Sequence, residues 1–251
     1  MAFSRQPAPA EGDLLCESCG YLLNGLEALS DAHCPECGEP LSTSLDPLAR
    51  KPSPIEVTWT PATFWMTTGS VLFRKRKFFR ETKARAGDAA TVGRFGSLHR
   101  IFAAALFGIA AAIHLAFTAE NRLWLVRWEL VHVAGIAAAA CAFSAIAYGL
   151  LRFVTWSAER MTAVESKFWG MRLSPAMLRR AMNFHAANYL PVGLLAVAVT
   201  GGYRLAIGTE LITAQWGVAY LVTLSAAVVA GALWLFESFV IAMRRIRLAN
   251  Y

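Results

Sequence analysis

Apolar positions along this chain gather into four blocks after residue 100. They are read as spans at about 101–119, 130–151, 189–207 and 216–243. Nineteen helical residues rise about 28 Å, close to the roughly 30 Å hydrocarbon layer of a bilayer. The fourth block is long enough to tilt or to emerge as helix. The third is interrupted by Gly201, Gly202 and Arg204. Small residues recur every three or four positions in the first two: Ala104, Gly108 and Ala112, then Ala138, Ala142, Ala145 and Gly149. That spacing predicts close helix packing, which is how spans associate when lipid removes the hydrophobic drive. Cys141 reads as a small buried residue of the second span.

Ahead of these blocks lies a mixed segment, 61–100. Thr60-Pro61 supplies an N-cap followed by proline at the first helical position. The next residues, ATFWMTTGSVLFRKRKFFRE, read as one helix with Phe64, Trp65, Thr68, Val71, Leu72, Phe78 and Phe79 near one side. A cluster from Arg74 to Arg80 sits beside them. Aromatics next to cations suit a helix in the headgroup zone. Between the second and third spans, 152–188 reads as a helical loop. Its first part continues the second helix, and Ser174-Pro175 restarts a helix that carries Arg179 and Arg180 towards phosphate headgroups. Pro191 then predicts a kink where the third span begins.

Composition supports the membrane reading. Of 251 residues, 56 % are hydrophobic and only 16 % charged, against roughly 25 % charged in soluble domains. The net charge of +7 is placed unevenly. Cations crowd 74–100, the 152–188 loop and the tail at Arg244, Arg245 and Arg247. The loop ENRLWLVRWE balances its charges, and GTELITAQ carries one glutamate. The positive-inside rule then puts both termini and the long loop in the cytoplasm, as four spans require. The first residues, MAFSRQPAPAEGDLL, lack the apolar core of a secretory signal. The expected location is the inner (cytoplasmic) membrane, multi-pass.

The remaining sequence is short and polar. Residues 1–14 read as a leader, 15–40 as a cysteine region, and 41–60, with Pro47, Pro52 and Pro54, as a linker. Cys16 and Cys19 form one Cys-x2-Cys pair, Cys34 and Cys37 another, and Gly20 and Gly38 follow the pairs. Two such turns offer four soft ligands in a tetrahedron, the closed arrangement of structural Zn(II). A single rubredoxin-type iron is the rival metal. His33 is expected to face solvent, with Tyr21, Leu22, Leu26 and Leu29 packing around the site. So small a unit has little core, so metal binding and folding should be coupled. The region is acidic, with no Lys or Arg between Arg5 and Arg50. A phosphate-binding face needs positive charge, which argues against nucleic acid. A protein partner, or the basic stretch 74–85 of the same chain, fits better.

The stretch CESCGYLLNGL followed by CPECG resembles the four-cysteine zinc ribbons at the start of many bacterial proteins, membrane proteins among them. That resemblance covers residues 15–40 and implies one structural Zn(II). More loosely, TPATFWMTTGSVLF before an Ala/Gly-rich bundle is similar to the Yip family of membrane domains. That family usually carries five spans, and four are read here.

Other chemistries have thinner support. His99, His114, His132 and His185 lie near the ends of spans and are candidate haem ligands. A bis-His haem b would make the protein an electron carrier or redox-complex subunit. No HExxH, Walker or GxSxG motif occurs. A small-solute transporter or channel is the third reading, although clear internal repeats are lacking. The expected fold is an all-α polytopic membrane protein: a four-helix bundle at 101–251 with amphipathic helices and a small N-terminal zinc ribbon. The expected role is non-enzymatic: a scaffold, assembly factor or accessory subunit with the lipid bilayer and a protein partner or homo-oligomer around it.

Overall fold

A computed structural model describes residues 13–26, 32–46, 50–84, 87–120, 130–168, 173–209, 211 and 217–250. Among them the elements are nine α-helices and one 3-10 turn: α1 Ser42–Leu45, α2 Pro54–Val57, α3 Pro61–Phe73, α4 Lys75–Glu81, α5 Ala89–Glu120, α6 Leu130–Phe168, α7 Pro175–His185, the turn Ala186–Asn188, α8 Tyr189–Gly208 and α9 Gly217–Ile246. No β-sheet forms among the described residues, only isolated bridges. Four helical stretches are long and apolar enough to cross a membrane: Ala89–Leu115, Ala134–Phe168, Pro175–Ile207 and Gly217–Ile246. The fold is that of a polytopic helical membrane protein. The helices outrun the apolar blocks that identify them. At 39 residues, α6 is about 58 Å long, nearly twice the hydrocarbon thickness.

The chain divides into two units. The first comprises Met1–Phe95, Trp156–His185 and Ser238–Tyr251. Its core holds a run of aromatic rings drawn from α3, α5, α7 and α4. Phe64 meets Phe95 at 5.2 Å, Phe95 meets Phe184 at 5.7 Å, and Phe184 meets Phe78 at 5.0 Å between centroids. These spacings suit edge-on and tilted contacts, each worth about 1 kcal/mol beyond burial.

Here the expected single helix over 62–81 is broken. Arg74 leaves helical geometry at φ −127°, ψ 34° and separates α3 from α4. The Thr68 and Ser70 hydroxyls donate to the Phe64 and Met66 carbonyls, a local competition that favours bending. The break also splits the aromatics: Phe64, Phe78 and Phe79 are buried, while Trp65 and Phe73 are exposed. Downstream, α7 starts at Pro175 with the Ser174 hydroxyl capping Met177 N–H, at 3.2 Å. Arg179 is exposed, but Arg180 is buried rather than turned to headgroups. Its Nη1 and Nη2 donate to Glu56 Oε1 and Oε2 at 2.7 and 2.6 Å, and Nε donates to the Lys83 carbonyl at 2.7 Å.

The second unit comprises Gly96–Thr155 and Ala186–Glu237. Ala103, Ala186 and Tyr189 form its buried centre, with Phe107, Leu151 and Leu235 against them. The Tyr189 and Thr155 hydroxyls lie 2.9 Å apart. Small residues do bring helices together, but by a different row on α6. Gly108 packs so closely on Ala140 and Ser144 that a Cβ there would collide with both, and Ala104 and Ala112 are buried. Ala138, Ala142, Ala145 and Gly149 are exposed, as is Cys141. Residue 142 lies about 200° around the helix from residue 140, so spacing alone could not select the contact face. The 3-10 segment Ala186–Asn188 leads directly into α8. Pro191 falls in the first turn of α8, where its missing N–H costs nothing. Large apolar side chains such as Ile109, Ile146, Leu205 and Val222 are exposed, as lipid contact requires and water does not favour.

Candidate metal centre

The cysteine region is built twice. Leu15 and Leu22 form an antiparallel bridge, and so do His33 and Pro40. Cys16 N–H donates to the Tyr21 carbonyl and Cys34 N–H to that of Glu39, both at 2.8 Å. Gly20 N–H reaches back to the Cys16 carbonyl at 2.8 Å, and Gly38 N–H to Cys34 at 2.9 Å. Leu23 pairs with Leu14 and Leu41 with Ala32 in the same way. Every backbone–backbone bond in the first loop has its counterpart eighteen residues on. Gly20 and Gly38 have φ of 87° and 72°, left-handed values that glycine adopts at little cost.

This repetition sets which side chains point in. Leu23 and Leu41 are buried with Cys16 and Cys34, and Leu14, Tyr21, Leu26, Ala32 and Leu45 pack partly against them. Leu22, expected in the cluster, is exposed because successive residues of an extended chain face opposite ways. Leu29 lies outside the described residues. His33 is exposed next to its buried neighbour Cys34.

The four thiols converge. Cys16 Sγ is 3.5 Å from Cys37 Sγ, and Cys19 Sγ is 3.6 Å from Cys34 Sγ. All four sulfurs lie within 4.8 Å of one another. A tetrahedron with metal–sulfur bonds of about 2.3 Å has edges of about 3.8 Å, so the donor set fits one ion and closes around it. Among the described residues this is the one grouping of three or more His, Cys, Asp or Glu able to hold a metal. Backbone N–H groups also aim at the sulfurs. Burial acts upward on the Cys34 thiol, but the Cys37 and Glu36 N–H groups bring it down to about 7. Cys19 is pushed up to about 12, first by desolvation of its sulfur and then by sharing protons with the other three thiols. Cys19 is exposed as a residue, yet its sulfur faces into the cluster. Four thiolates crowded there would repel one another, and a bound cation would offset that charge as protons leave.

Around the sulfurs lies a clamp that spacing and motifs did not reveal. Glu17, between the first two cysteines, accepts from Arg50 Nε and Nη2 at 3.0 and 2.8 Å. Arg50 is buried, and its Nη1 also donates to the Phe79 and Thr82 carbonyls at 3.1 and 2.9 Å. Its Nη2 reaches the Arg245 carbonyl at 3.3 Å. The guanidinium thus sits at the C-terminal ends of α4 and α9, where a cation complements the helix dipole. Asn250 adds four hydrogen bonds: to Leu15 N–H and carbonyl, the Ser44 carbonyl and Glu17 Oε1. Leu248 packs over Gly20. Arg80 pairs with Glu39 at 2.7 Å. The signals available in sequence were the eighteen-residue offset and Arg50, the first cation after a long acidic stretch.

Three of the four haem candidates have described side chains, and each has its own surroundings. His114 Nδ1 lies 2.6 Å from the Tyr220 hydroxyl, and Tyr220 stacks on Tyr203 at 4.4 Å. His99 is fully buried on α5. His185 ends α7, buried edge-on to Phe239 at 6.3 Å. The His132 side chain lies outside the described residues. No protein-family model matches the chain, and comparison with curated proteins and solved structures returns no match.

Proposed function

We propose that this protein is a non-enzymatic scaffold or accessory subunit of the inner membrane, whose four-cysteine knot holds one structural Zn(II) on the cytoplasmic side. One observation carries the reading. All four sulfurs lie within 4.8 Å of one another, and four thiolates fill the coordination sphere of a structural Zn(II) with no open position for substrate or water. The polar groups around them are engaged with their own chain through Glu17, Arg50 and Asn250. Such a knot fastens the tail of α9 to the N-terminal region. It has the character of a structural fastening, not of a reaction centre.

Orientation follows from charge. Lys and Arg crowd 74–100, 152–180 and 244–247, which favours the cytoplasmic side for these segments and for the knot. A reducing compartment also keeps the thiols available for metal. A cysteine introduced between 122 and 127, in a Cys141→Ala background, should react with a membrane-impermeant maleimide added outside intact cells. One introduced between 160 and 168 should not. The opposite pattern inverts the topology. Co-purification of a defined larger complex from mild detergent supports the accessory role, and recovery of the chain alone, without a partner or a second copy, counts against it.

A further inference from the structure

A second site lies in the first unit, in a groove of about 220 Å³ between residues 51–54 and the α3–α4 break. Lys51, Arg74 and Lys77 line it. The backbone fixes their placement. Lys51 is held by bonds from its own N–H to the Glu81 carbonyl at 2.7 Å and from Lys83 N–H to its carbonyl at 3.0 Å. Arg74 is the residue at which the helix breaks. That break separates neighbouring cations: Lys75 Nζ turns to the Ser238 hydroxyl at 3.1 Å, while Arg74 and Lys77 face the groove.

Lys51 and Arg74 have no side-chain partner among the described residues. Lys77 has only a long, exposed contact of 3.8 Å with Glu81. Three cations against that one carboxylate leave the groove near +2. The Ser53 and Ser70 hydroxyls donate to Glu56 and to the Met66 carbonyl, so recognition falls to the cations. Pro52, Pro54 and Phe78 give it apolar walls. Next to Arg74, Phe73 is 84 % exposed, and Met66, one turn before Ser70, is 61 % exposed. Cations in a small recess with bare apolar side chains beside it match an amphiphile whose charged end is a phosphate.

We infer that this groove binds a phosphate group, presented as the headgroup of an anionic phospholipid whose chains lie along Met66 and Phe73. The inference rests on the membrane reading given above for the lipid as source, and on the groove alone for the phosphate.

The test uses full-length protein in dodecyl maltoside. Native mass spectrometry compares phosphatidylglycerol with phosphatidylcholine of matched chains. Lys51→Gln/Arg74→Gln should lower phosphatidylglycerol affinity about 25-fold, at roughly a fivefold loss for each cation. Arg76→Gln, an exposed cation outside the groove, should leave it unchanged. Unaltered metal content shows that the variants fold. Equal affinity in wild type and double variant, or no preference over phosphatidylcholine, overturns the site. Displacement by millimolar inorganic phosphate, dependent on the same two residues, supports the site and makes a soluble phosphate its ligand. Chain that fails to sediment with membranes defeats the membrane reading, and the phosphate arm still decides the groove.

Discussion

The Asn250 carboxamide bonds both backbone groups of Leu15, 235 residues away: Leu15 N–H donates to Oδ1 at 3.0 Å and Nδ2 donates to the Leu15 carbonyl at 2.8 Å. It thereby occupies the place of a neighbouring strand beside the first cysteine. Replacing it with alanine leaves the Leu15 and Ser44 groups unpaired at a buried position. Asn250→Ala should destabilise the first unit by about 2–4 kcal/mol. Faster metal transfer to a chromogenic chelator, at unchanged initial metal content, is the readout.

Arg50 carries a larger share. Its guanidinium meets one carboxylate and three carbonyls with almost no exposure. Arg50→Met leaves Glu17, with 11 % of its side chain exposed, without its countercharge and should cost about 3 kcal/mol in thermal unfolding of the detergent-solubilised protein. Arg50→Lys should not restore the loss, since an ammonium cannot match a planar fork that serves four acceptors.

Glu56 and Arg180 set an acid limit. Burial acts upward on the Glu56 carboxyl, but Arg180 and Ser53 outweigh it and hold it below its usual 4.5. The group therefore contributes stability that is complete above the ordinary carboxylate range and fades as pH falls through the depressed value. Glu56→Gln should be less stable than wild type by about 3 kcal/mol at pH 7. The gap should narrow in melts below pH 4.5. A gap independent of pH would contradict the ion pair's role.

Gly87 approaches that pair so closely that an added Cβ would collide with Arg180 and Glu56. Gly87→Ala should lower the melting temperature, and in a Glu56→Ala/Arg180→Ala background the added methyl should cost less, with only the strain of its φ of 157° left. That non-additivity is what a shared contact produces.

The proposed metal should also govern the chain's tail. The Cys16–Cys19 loop presents Glu17 to Asn250 N–H, and Gly20 lies under Leu248. Stripping the metal, or Cys34→Ser, should let carboxypeptidase trim residues beyond Ile246 that it removes slowly from the loaded protein. Equal trimming in both states would separate the knot from the tail.

What the sequence made legible was local or periodic. Cys16, Cys19, Cys34 and Cys37 were readable because two-residue gaps force two sulfurs to one side of a turn. The spanning helices were readable because lipid demands unbroken apolar length. Arg50 with Glu17, Asn250 with Leu15 and Arg180 with Glu56 were not, since each joins distant segments through polar groups that share no period. The acidic knot did imply a basic partner on its own chain. Arg80 lies in the expected stretch, while the buried contact comes from Arg50, outside it. The row Ala138, Ala142, Ala145 and Gly149 misled because alanine is abundant on every face of α6.

The metal content of the full-length protein, by inductively coupled plasma mass spectrometry and visible absorption, decides whether the knot is a zinc site. One zinc per chain, no visible bands, and loss of that zinc in Cys34→Ser are the expected results. Stoichiometric iron with thiolate-to-iron absorption, or a Soret band, would contradict the zinc reading.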